Sequence, residues 1–146
     1  MKKNVFLFFA ASLVACANHK KITPSELEKQ NVSSDYFIIS QGGGFTGAYE
    51  TYLVQKEGKV IAIQNQSDST YLRTLAPETV DSMFQVLPNL GITTTALSPP
   101  GNMNYALITF IDGTKNTLTW ADAAKPNEAI LTFYKYALLE VKRPKK

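Results

Sequence analysis

The chain has 146 residues, 15 of them Lys or Arg and 12 Asp or Glu, with one cysteine and one histidine. Lys2 and Lys3 supply two of the bases and residues 1–15 hold no acid, so the remainder is almost neutral, at 13 bases against 12 acids. That balance gives no basis for nucleic-acid binding, which needs Lys and Arg clustered on one face. A lone histidine and a lone cysteine likewise leave no ligand set for zinc.

Met1-Lys2-Lys3-Asn4 is short and positive, and Val5 to Val14 follows with Ser12 as its only polar side chain. This is the layout of a secretory signal. A membrane span needs about 20 apolar residues, and this run stops at half that length. The run ends in Leu13-Val14-Ala15-Cys16, which resembles the lipobox of bacterial lipoproteins, where a dedicated peptidase cuts before a cysteine whose thiol has been acylated. The resemblance covers the first 16 residues. It implies a signal peptide over residues 1–15, lipid on Cys16 and a membrane as partner through that lipid. Ala17 follows the cysteine in place of Asp, which in such sorting systems implies the outer membrane, facing the periplasm. Each buried methylene contributes about 0.8 kcal/mol, and two or more acyl chains give stable anchoring. Two other readings of the cysteine exist. Ala15-Cys16-Ala17 fits ordinary small-x-small cleavage, which would release a soluble chain, and cysteine is often a buried structural residue, although the edge of a removed segment offers it no core.

Residues 16–34 form the lipidated N-terminus and a polar tether with few large apolar side chains. Within it Thr23-Pro24-Ser25-Glu26 has the form of a capping box with proline at the first helical position, so a helical turn or two through Gln30 is expected. Fully extended, the tether would reach roughly 60 Å.

Residues 35–146 suffice for a single domain with its own core. Tyr36 to Ile39, Thr51 to Gln55 and Val60 to Ile63 read as three antiparallel strands, the last two joined at Glu57-Gly58. Val80, Met83, Phe84 and Leu87 recur at helical spacing behind Ala76-Pro77-Glu78, and Pro88 closes that helix. Tyr105 to Ile111 and Asn116 to Trp120 flank Asp112-Gly113, a strong hairpin signal. A last helix starts at Lys125-Pro126-Asn127-Glu128 and carries an apolar stripe of Ile130, Phe133, Tyr134, Ala137, Leu138 and Val141. The expected fold is α+β, in the order β-β-β-α-β-β-α, with a five-stranded antiparallel sheet covered on one face by two helices. The domain also resembles the small uncharacterised lipoproteins of gram-negative envelopes, a likeness that brings no activity with it.

Gly42 to Gly47, GGGFTG, matches G-x-G-x-x-G, but a dinucleotide site requires that pattern to open a helix, and strand follows here. The glycines are expected to make a turn or bulge, and no cofactor is implied. His19 lies in the tether, so a nucleophile in the domain would have no imidazole base. Glu57 and Asp112 fall in predicted turns and Glu78, Asp81 and Glu128 in first helical turns, where structure explains them. No catalytic residue is assigned, and a small two-carboxylate hydrolase is the enzyme reading that remains, the third of three functional classes. The candidate partner surface lies in loops, which carry function more often than scaffold does: Phe45, Thr46 and Tyr49, then Asn102 and Asn104, then Trp120 and Asp122. Phe45 has an alternative role as a plug of the core, and Trp120 as packing beneath a helix. The expected function is a non-catalytic interaction or assembly module whose partner is another envelope protein. The alternative is a binder of a small ligand or glycan.

Overall fold

The computed structural model describes residues 35–45, 47–64, 68–97 and 102–144. The signal segment, Cys16, the tether with its capping box, Thr46 and the last two lysines lie outside these residues. Strands β1 (Tyr36–Gly43), β2 (Ala48–Gln55), β3 (Lys59–Gln64) and β4 (Asp68–Thr74) precede helix α1 (Pro77–Val86). A 3-10 turn (Leu87–Leu90), strands β5 (Thr95–Ala96), β6 (Met103–Ile111) and β7 (Thr114–Ala121), and helix α2 (Glu128–Lys142) complete the fold. The class is α+β, as expected from the alternating periods.

Among the described residues the sheet has seven strands, not five, in the order β4-β3-β2-β1-β6-β7-β5. The additional β4 carries a polar sequence, Asp68-Ser69-Thr70-Tyr71-Leu72-Arg73-Thr74, and lies at an edge with a register shift opposite Val60/Ile61. An edge strand open to water has no need of an apolar pattern, and a bulge there discourages further pairing. The other addition, β5, is two residues long and pairs with β7 in parallel, among the described residues the one departure from antiparallel order.

Turn chemistry sets the hairpins. Asp112 and Gly113 both take positive φ, 48° and 77°, the arrangement of a tight turn whose twist matches its strands. α1 begins with proline in its first turn. Pro88 ends the α-helix without stopping the coil, because the first residues of the 3-10 turn need no amide from it. Gly91, at φ 62°, makes the stop. α2 is capped by Asn127, whose Oδ1 accepts the Ile130 amide at 3.0 Å.

Both helices lie on one face of the sheet, as expected. Phe37 of the central β1 meets Phe84 of α1 at 5.5 Å and Phe133 of α2 at 5.4 Å between ring centroids. Ile39, Val54, Val60, Leu107 and Leu118 complete the sheet side of this core. Glu140 is buried with them on α2 and is paired to Arg143 at 2.6 Å, so its charge is compensated.

Candidate functional site

The candidate residues gather at one end of the sheet. β1 runs through Gly43 before turning, so the glycine run is strand first and turn second. Gly42 is buried because the Tyr49 ring lies across it: a Cβ on Gly42 would stand 2.6 Å from both Tyr49 Cα and Tyr49 Cγ. Gly43, Gly44 and Gly47 take positive φ, and the Gly44 amide donates to the Asn102 carbonyl. The pattern therefore joins two strands, as its turn reading required, and opens no helix.

This turn thrusts Phe45 out of the fold. Its side chain is fully exposed, which removes the alternative of a core plug. Tyr49 is 56% exposed and accepts from Asn104 Nδ2 at 3.4 Å, a long contact by hydrogen-bond standards. Between them and β7 lies an open cleft of about 360 Å³ lined by Ser40, Tyr49, Ala96, Asn104, Ala106 and Thr119, with Tyr105 and Trp120 on its wall. Among the described residues no charged side chain lines it. Ser40 Oγ and Thr51 Oγ1 are hydrogen-bonded at 2.9 Å beside it.

The other candidates divide. Asn102 is exposed, with its carbonyl spent on the Gly44 turn. Asp122 accepts from Tyr105 Oη at 3.0 Å, and burial, followed by that carboxylate, raises the Tyr105 pKa. Trp120 offers almost no surface beyond its edge on the cleft wall: it is 4% exposed, stacks on Tyr105 at 5.6 Å and meets Tyr134 of α2 edge-on at 5.0 Å. A tryptophan at a strand end is core-facing or solvent-facing according to register alone, and opposite Tyr105 it points at the helices. Sequence reasoning passed over Ser40, Ala96, Ala106 and Thr119, small residues that become a cleft only because β1, β6, β7 and β5 stand side by side.

At the opposite end of β1, Asp35 is held by Lys56 at 2.7 Å and by the Asp112 amide at 2.9 Å. The Lys56 hydrogen bond, then the amide, keep its carboxyl below the usual range. Glu50 is likewise lowered by hydrogen bonds from Lys142 and then Gln41. Among the described residues no three acids, histidines or cysteines converge as a metal site. Set beside known proteins, the chain matches no family model and no curated sequence at a significant level.

Proposed function

We propose that the chain is a lipid-anchored lipoprotein of the cell envelope, held on the outer membrane by acyl groups on Cys16, whose domain is a non-catalytic interaction or assembly module. The observation that carries the interaction role is the placing of Phe45. A fully exposed phenylalanine stands at the tip of the β1–β2 hairpin, beside half-exposed Tyr49. Aromatic anchors of this kind dominate interface energetics. Eight residues at about 3.3 Å each put this tip roughly 25 Å along β1 from Asp35, where the tether joins. On this reading the distal tip, far along β1 from the tether's junction, is the part that meets another envelope protein.

A photoreactive aromatic side chain at position 45, in the acylated protein in its own membranes, tests this reading. It should give one discrete adduct that the same group at Lys59 does not give. Equal labelling from both positions, or none from either, would count against it. A second reading draws on the cleft, whose volume of about 360 Å³ falls in the range of small-ligand pockets. Its hydroxyl and amide groups and the Tyr49 ring suit an uncharged glycan. Shifts of the Tyr49 and Asn104 resonances on titration with neutral oligosaccharides would favour it.

A further inference from the structure

The central strands carry more apolar residues than one face can use. β1 opens with Tyr36-Phe37-Ile38-Ile39, β3 contains Val60-Ile61-Ala62-Ile63, and β6 contains Leu107-Ile108 and Phe110-Ile111. An antiparallel strand with one wet face alternates, whereas runs of this kind belong to strands covered on both faces. The helices cover the face of Phe37, Val54 and Leu107. Ile38, Leu53, Ile61, Ile63, Ile108 and Phe110 stand on the other. The pairing register sets Ile61, Leu53, Ile38 and Ile108 side by side across four strands, a row of about 14 Å at 4.8 Å per strand. Tyr36 stacks on Phe110 at 5.2 Å at the end of this patch. Leu53 and Ile61 are 5% and 8% exposed although they stand outside the main core cluster, and among the described residues no helix lies over them.

We infer that this second face is the docking surface for the chain's own segment 22–32. Three observations select that occupant. The preceding 34 residues join at Asp35, at the head of β1, and β1 lies between β2 and β6 in the middle of the face. The segment contains Ile22-Thr23-Pro24-Ser25-Glu26-Leu27, in which Ile22 and Leu27 occupy the two positions of a hydrophobic staple around the capping box. Val32 adds a third apolar residue to the segment. Leu27 and Asp35 are eight residue steps apart, which reach up to roughly 26 Å, more than the row requires. A tethered segment acts at an effective concentration of about a millimolar, so it takes an apolar face ahead of a second copy at micromolar concentration. The residues nearest the membrane anchor would then be a structural layer of the domain, and only the distal cleft and Phe45 would stay free. The inference does not depend on acylation of Cys16.

Disulfide trapping in the full-length chain tests it, in a Cys16→Ser background so that the introduced thiols are the only ones. Leu27→Cys is combined with Ile61→Cys, with the half-buried Ile108→Cys in case the first disturbs folding, and with Leu139→Cys, which is 68% exposed on α2, as the control. Under mild oxidation the first two pairs should close within the monomer. At ten-micromolar protein the intramolecular product should exceed disulfide-linked dimer by on the order of a hundredfold, the ratio of the two effective concentrations. The Leu139 pair should not close. Dimers in place of the internal bond would show a second copy on the face. No bond at either position, or equal closure with Leu139, would overturn the inference, whatever becomes of the lipoprotein reading.

Discussion

At the scale of single residues, the distal end is governed by one missing methyl group and one misplaced ring. Gly42→Ala would drive a Cβ to 2.6 Å from Tyr49 Cα, a backbone atom that cannot step aside as a flexible side chain would. We expect a loss of about 1–3 kcal/mol, the usual cost of overpacking, measured by denaturant melts, with Tyr49 displaced. Phe45→Ala touches nothing in the fold, so stability should stay within about 0.5 kcal/mol of the wild type while adduct formation at the hairpin tip weakens. A large fall in stability would return the ring to a structural role. Asp35 works at the other end. Its native pKa lies below the unfolded value of 3.8 because Lys56 and the Asp112 amide donate to the charged form. Its contribution is therefore complete above that value and is lost as pH falls through the lower native one. Melts of Asp35→Asn against wild type should show a deficit at pH 7 that closes in acid. A deficit independent of pH would mean that shape, not charge, matters there.

At the scale of elements, the helices were legible because each needs one apolar stripe to bury. Phe84 and Phe133 both meet Phe37, so truncating either to alanine should cost about 3–5 kcal/mol. Lys135→Ala, on the exposed side of α2, should cost almost nothing, and chemical denaturation of the three variants checks the ranking. The α2 stripe includes Glu140, which no hydrophobic pattern selects and which is buried only because Arg143 lies one turn away to pair with it. Strands were legible where both flanks are covered and illegible at the edges. β4 looks like a loop from its composition because an edge strand is held by backbone hydrogen bonds to β3, which carry no side-chain signature. β5 is a strand only by virtue of β7 beside it.

At the scale of the whole molecule, the exposed Phe45 lies at the far end of β1 from Asp35, and the proposed anchor on Cys16 is tested separately. Cys16→Ser should abolish acylation and move the protein out of the membrane fraction, or leave it uncleaved. Mass spectrometry of the wild-type N-terminus should find a diacylated or triacylated cysteine, and an unmodified chain starting at Asn18 would contradict the anchor. The sequence by itself determined the class of the fold, both helices, the hairpin turns and the turn role of the glycine run, since each follows from local periodicity and backbone dihedral preference. It also marked Phe45 as a ring with little local reason to be buried. Tertiary structure alone decided the rest. Trp120 was drawn inward by register with Tyr105, and Tyr49 was laid over Gly42 by its strand neighbour. The cleft formed among small residues far apart in the chain, and the sheet was left with a second apolar face. Side-chain direction across a sheet depends on which strands are neighbours, and pairing between residues as distant as Ser40 and Ala106 is a long-range property that no window of sequence contains.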